Sequence, residues 1–200
     1  MPLLEAGVTP PATVAAPGAV LWLTGLSGAG KSTIAQATCA ALRLQGRAAT
    51  VLDGDELRRG LTRDLGFSEA DRAENVRRAA EVARLMADAG LVVVVALISP
   101  FRADRERARA LFEAGRFFEI HIDTALSVAE ARDPKGLYRR ARQGLLPAFT
   151  GISSPYEAPL APALRIDTAQ VLPVQAAEML IGLLPAPGAG PCGTSGGAAV

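Results

Sequence analysis

Gly25-Leu26-Ser27-Gly28-Ala29-Gly30-Lys31-Ser32 stands between a short apolar run at residues 19–24, AVLWLT, and a stretch at 31–44 in which Ile34, Ala37, Thr38, Ala41 and Leu42 share helical spacing. The octet fits the pattern G-x-x-x-x-G-K-[ST], and a strand before it with a helix after it is the setting that pattern requires. The glycines let the chain turn so that successive N–H groups point inward at phosphate oxygens. The positive end of the following helix dipole adds to the attraction. In such a loop Lys31 reaches the β- and γ-phosphates, and the Ser32 hydroxyl ligates Mg²⁺ brought in with ATP. Gly25, Leu26, Ser27, Gly28, Ala29, Gly30, Lys31, Ser32 and Thr33 are the expected ATP-binding residues.

Outward from this loop, strand-like and helix-like segments alternate. Residues 48–52 read as a second strand ending in Asp53-Gly54-Asp55, and 72–89 as a long amphipathic helix. Residues 91–98 form the most apolar strand, 103–113 a helix, 117–123 and 164–167 further strands, and 173–184 a closing helix. Near-continuous apolar strands alternating with helices predict an α/β fold of the P-loop NTPase type: a mostly parallel sheet with helices on both faces. Ligands in such sheets bind outside the carboxyl ends of the strands. Residues 1–18 and 185–200 are rich in Ala, Pro and Gly with almost no charge, and read as disordered tails around one domain at 19–184.

Composition excludes several classes. The chain has 200 residues, with 21 Lys and Arg against 20 Asp and Glu, and a net charge of +1. That balance argues against a general nucleic-acid or membrane-surface binder. The run at 91–98 is far too short to span a bilayer. The opening residues lack the basic segment of a signal peptide. Cys39 and Cys192 have no partner at metal-ligand spacing and form no disulfide framework, so a reducing cytoplasm fits best.

At the end of the second strand, Asp53 and Asp55 admit two readings. One is Mg²⁺ water ligation or general-base work on an acceptor hydroxyl. The other is an Asp-Gly turn with a helix cap. His121, the single histidine, has no second ligand near it in sequence and reads as a core or surface residue.

Further strings then become specific: Leu52-Asp53-Gly54-Asp55-Glu56-Leu57-Arg58; Asp64-Leu65-Gly66-Phe67-Ser68; Asp71-Arg72-Ala73-Glu74-Asn75-Val76-Arg77-Arg78; Ile98-Ser99-Pro100-Phe101-Arg102; Arg132-Asp133-Pro134-Lys135-Gly136-Leu137-Tyr138; and Phe149-Thr150-Gly151-Ile152 with Ser154-Pro155-Tyr156-Glu157-Ala158-Pro159. In order and spacing they resemble the adenylylsulfate kinase family over about residues 20–184. The resemblance implies ATP-dependent phosphorylation of the 3′-hydroxyl of adenosine 5′-phosphosulfate in sulfate assimilation. It further implies a homodimer and functional coupling to ATP sulfurylase.

Residue by residue, the resemblance makes Asp55 the acidic residue beside the acceptor hydroxyl and Lys31 its catalytic partner on the donor. Arg58, Arg72 and Asn75 become ligands of the substrate; positions 72 and 75 share a helix face, which alone would equally suit a solvated face. Phe67 and Phe149 become the aromatics that clasp adenine, where residue type alone also allows plugs over a core edge. Ile98, Ser99, Lys135 and Ala148 join the substrate contacts, and Arg132 the ATP contacts. Ser99 is commonly described in this family as a phosphoserine intermediate. No His or Lys adjoins it to activate the hydroxyl, however, and in-line transfer needs no covalent relay, so a substrate-binding role is expected here. Residues 132–158, with Arg139, Arg140 and Arg142, are expected to form a mobile cationic lid, with an exposed basic helix as the plainer reading. Glu56 and Arg59 depart from the family pattern, which usually has Asn and often His there. The rival readings are another small-molecule P-loop kinase and a non-catalytic nucleotide-binding partner of sulfurylase.

Overall fold

The computed structural model describes residues 18–186. Five strands carry the architecture: β1 (Val20–Thr24), β2 (Ala49–Asp53), β3 (Val92–Ala96), β4 (Phe117–Ile122) and β5 (Leu164–Ile166). All neighbours pair in parallel, in the order β2-β3-β1-β4-β5. The helices between them are α1 (Lys31–Leu44), α2 (Gly54–Arg59), α3 (Glu69–Asp88), α4 (Arg102–Arg109), α5 (Leu126–Arg132), α6 (Leu137–Arg142) and α7 (Pro173–Ile181).

The two-residue period of a strand divides β1 between two cores. Leu21 and Leu23 join Val92 and Val94 of β3, Ile120 and Ile122 of β4, and the apolar faces of α1 and α7. Val20 and Trp22 join Val93, Val95 and Phe117 with Val76, Ala79, Ala80 and Ala83 of α3 and Ala108 of α4. A parallel sheet covered on both faces needs such unbroken apolar strands, and Val20 to Leu23 are fully buried.

Boundaries differ from the periodic reading where local chemistry decides them. Helix α3 begins before residue 72, because Ser68 caps it: Ser68 Oγ accepts from Asp71 N at 3.1 Å, and Asp71 Oδ2 accepts from Ser68 N at 3.3 Å. Helix α4 ends at Arg109, short of 113. Gly18, placed with the leading tail by composition, is packed: its N–H donates to Ala87 O at 2.7 Å, and its carbonyl accepts from Arg116 Nε at 3.0 Å. The remaining tail residues, 1–17 and 187–200, lie outside the described residues.

The segment expected as a long lid loop holds α6 and the end of α5. Tyr138 and Ala141 of α6 are buried while its arginines face outward, so the segment is neither structureless nor a wholly exposed basic helix. Among the described residues, no helix is long and apolar enough to cross a membrane.

Candidate active site

The carboxyl ends of β1, β2 and β3 open onto one cavity of about 780 Å³, a size suited to small-molecule ligands. The phosphate loop forms one side. Gly25 takes φ 152°, and a Cβ there would come within 2.5 Å of Ile122 O, so only glycine lets the loop leave β1 beside β4. Lys31 Nζ donates to Gly25 O at 2.9 Å and Leu26 O at 2.7 Å. Burial pulls its ammonium down to about 8, against the opposing pull of Asp53. A buried cation held only by neutral carbonyls is readily drawn to a polyphosphate.

Ser32 Oγ donates to Asp53 Oδ2 at 2.5 Å, and Asp53 Oδ1 accepts from Asp55 N at 2.9 Å. Asp53 therefore caps α2 and faces the phosphate loop at once, which joins the two readings of the Asp-Gly-Asp run. Sequence pointed to this carboxylate without assigning it a partner, because Ser32 lies in the first turn of α1, distant in the chain. No group of three or more His, Cys, Asp or Glu among the described residues could hold a metal. A hydroxyl and a carboxylate this close do fit a hard cation that keeps waters and phosphates as its other ligands.

Across the cavity, Asp55 is exposed and pairs with Lys135. Arg58 bonds Gly66 O at 3.1 Å and lies over the Phe67 ring at 4.3 Å. Arg72 is buried and donates to Phe67 O at 3.0 Å, Thr150 Oγ1 at 2.8 Å and Ala148 O at 2.6 Å. One guanidinium thus ties the Phe67 loop to the turn that carries Phe149. Burial pushes both Arg58 and Arg72 below the usual arginine value, and in Arg72 the neighbouring Arg58 adds to it. Asp71 and Asp55 partly offset Arg58, but Arg72 bonds neutral oxygens alone among the described residues, and the crowded pair makes an anion-receptive wall.

Burial removes the solvated-face reading of Arg72 and Asn75, each 7% exposed. Asn75 Oδ1 has no hydrogen-bond partner among the described residues, and Asn75 lines a smaller recess of about 80 Å³ with Arg58, Phe67, Arg72, Ile98 and Ser99. Phe67 is 60% exposed, too open to be a plug over a core edge. Phe149 is half-buried against Tyr138.

Ser99 is 3% exposed and takes φ 38°. Its Oγ accepts from Trp22 Nε1 at 3.1 Å, while its carbonyl accepts from Arg105 Nη1 at 2.6 Å. Ser99 borders the smaller recess and not the main cavity. Arg132 donates to Thr168 Oγ1 at 2.7 Å and Thr168 O at 2.9 Å, and Thr168 in turn donates to Ala29 O at 2.8 Å.

Gly28, Gly30, Ser32, Thr33, Asp55, Ile98 and Lys135 also border the main cavity, as do Ser27, Lys31, Arg58, Phe67, Arg72, Arg132 and Phe149. Gly25, Leu26, Ala29 and Ala148 act through backbone carbonyls just behind it. Thr150 and Thr168 border it too; the first stood in a family-like string without a role of its own, and the second had no signal in the sequence. Glu56 and Arg59 pair with each other at 2.5 Å in the open. His121 is buried, stacked on Tyr156 with centroids 5.8 Å apart.

The family profile described as adenylylsulphate kinase matches residues 17–167. The chain belongs to the adenylylsulphate kinase family. An adenylyl-sulfate kinase of Burkholderia ambifaria is 58% identical over 166 residues, covering 83% of this chain and 92% of that protein. The APS kinase of Mycobacterium tuberculosis, solved with AMPPNP and APS, superposes with a TM-score of 0.81 at 49% identity, covering 84% of this chain and 98% of that one. A hexameric APS kinase from Thiobacillus denitrificans gives a TM-score of 0.62 at 36% identity, covering 84% of this chain and 29% of that one. Adenylylsulphate kinase family membership thus extends over both walls of the cavity.

Proposed function

We propose that this chain transfers the γ-phosphate of ATP to the 3′-hydroxyl of adenosine 5′-phosphosulfate, giving 3′-phosphoadenylyl sulfate and ADP. The observation that carries this is one cavity with a phosphate loop on one wall, two arginines and two phenylalanines on the other, and Asp55 beside both. The relative solved with AMPPNP and APS holds a nucleotide pair of that kind.

On this reading the loop amides and Lys31 hold the donor phosphates. Arg58, Arg72 and Asn75 receive the phosphosulfate; Phe67 and Phe149 clasp the acceptor adenine, with Ile98, Ser99, Ala148 and Lys135 completing its pocket. Asp55 takes the proton of the 3′-hydroxyl as its oxygen bonds phosphorus and the bridge to ADP breaks. Lys31 offsets the charge that develops on the β–γ bridge. Ser32, with Asp53 behind it, would hold Mg²⁺, which when bound neutralises phosphate charge. On this reading transfer is direct and Ser99 binds substrate; its place off the main cavity, with Oγ accepting from Trp22 Nε1, supports that reading. Residues 132–158 act as a mobile lid on a domain spanning 19–184, and Arg132 lies on the ATP side. The reaction belongs to cytoplasmic sulfate assimilation, coupled to ATP sulfurylase. The chain works as a homo-oligomer, a dimer being the simplest; the hexameric relative supports self-association.

The test is transfer from γ-labelled ATP with and without adenosine 5′-phosphosulfate, with product identification. Label appearing at the 3′ position only when the sulfated nucleotide is present is expected. Label on a sugar acid or nucleoside instead, or tight binding of both nucleotides without transfer, would overturn the reading.

A further inference from the structure

Tyr138 touches both walls of the site without lining the cavity. Its hydroxyl donates to the Ser27 carbonyl of the phosphate loop at 2.9 Å. Its ring meets Phe149 edge-on, with centroids 5.1 Å apart and planes at 81°. The side chain is 1% exposed.

These contacts answer a need of each wall. In a phosphate loop the amides turn toward the ligand, so the carbonyls turn away and must find donors elsewhere. Ser27 O finds one in Tyr138. Phe149 sits on a turn tied to α3 by Arg72, through Ala148 O and Thr150 Oγ1. The edge of Tyr138 supplies a second support, from the donor side. The same turn lies against the loop at Gly151, where a Cβ would come within 3.1 Å of Leu26 Cδ2. Tyr138 itself is fixed from below, since Asp133 Oδ1 accepts from its backbone N–H at 3.1 Å.

We propose that Tyr138 is a positioning residue for the transfer: its hydroxyl sets the Ser27 peptide of the donor loop, and its ring sets Phe149 against the acceptor base. This rests on the adenylylsulphate kinase reading above. Transfer between two bound nucleotides needs their reacting atoms in line, and small misplacements are costly. With the lid placed as in this structure, one side chain joins the two walls and fixes that relation.

The two ends can be cut separately, with KM and kcat measured for each substrate and Tm for each variant. Tyr138→Phe keeps the ring and loses one neutral hydrogen bond, so the KM for Mg·ATP should rise about three- to tenfold. The acceptor KM should stay within about twofold, because the aromatic contact is intact. Tyr138→Leu loses both, and should add a rise of about three- to tenfold in acceptor KM. A Phe variant with wild-type donor KM and kcat overturns the proposal. So does a parallel shift of both KM values in both variants with lowered Tm, the mark of a merely structural residue. Should Tyr138→Leu fail to fold, the Phe variant decides alone by the same split. Wild-type protein that binds both nucleotides and transfers nothing would instead sink the functional reading, before any variant is made.

Discussion

The phosphate loop leaves β1, a strand with neighbours on both sides and no exposed surface from Val20 to Leu23, whereas the opposite wall is assembled from the Phe67 loop and the Phe149 turn, joined through Arg72. The first wall works mainly through peptide groups whose positions the sheet dictates. The second works through side chains whose positions depend on one another. Errors therefore spread differently: substitution on the donor wall should be local, and substitution on the acceptor wall should move several contacts together.

The largest expected loss is on the donor wall itself. Lys31→Ala should lower kcat by about 10³-fold, the upper range for removing one charge-stabilising donor, while circular dichroism shows an intact fold. Near-normal turnover in a folded variant would break the assignment of Lys31. Asp55→Asn should lower kcat by about 10²-fold, the lower range for losing a general base, with little change in Mg·ATP affinity. Weaker Mg·ATP binding with unchanged kcat would move Asp55 to the donor wall. Arg72→Met should raise acceptor KM by about 10- to 100-fold, because charge-assisted bonds to Phe67 O, Ala148 O and Thr150 are lost together. A matching rise in donor KM would erase the contrast between the walls.

The pH profile sharpens it further. Lys31 is held down to about 8 by burial in the free protein, and its protonated form is the one that meets phosphate. kcat/KM for Mg·ATP should therefore fall about tenfold per unit once pH passes that value. Bound phosphates favour the charged form, so the corresponding limb of kcat should lie at higher pH. Coincident limbs would separate Lys31 from the profile. The smallest effect is expected at Ser99. Ser99→Ala loses the contact with Trp22 and should keep kcat within about tenfold, with a modestly raised acceptor KM. Chirally labelled γ-phosphate should show inversion at phosphorus; retention, with a folded but inactive alanine variant, would restore the phosphoserine.

The same contrast decides what could be read from sequence. The phosphate loop was legible because its chemistry is local: eight consecutive residues specify turn, dipole and cation together. Strands β1 and β3 were legible as apolar runs, and β2, β4 and β5 as strand-like segments with polar residues among the apolar ones. Helix α2 was legible only as a capped Asp-Gly turn and α6 only as the plainer reading of the lid, while α5 was missed, since six or seven residues carry too little periodicity. The roles of Thr150 and Thr168 were hidden because each depends on a partner far away in the chain, as Arg72 to Thr150 and Thr168 to Ala29 illustrate. Resemblance supplied the acceptor residues, while their interlocking through Arg72 needed coordinates.

The central place of β1 bears on how the protein comes into being. Val20, the first residue of the strand, pairs with Val93 on one side and Phe117 on the other. A ribosome must therefore deliver nearly a hundred residues beyond Val20 before the strand under the phosphate loop has both neighbours. Such non-local parallel pairing is slow to form. Until then the apolar stretch at 19–24 lacks the partners that bury it, and the nascent chain should gain its grip on nucleotide late, near the completion of β4.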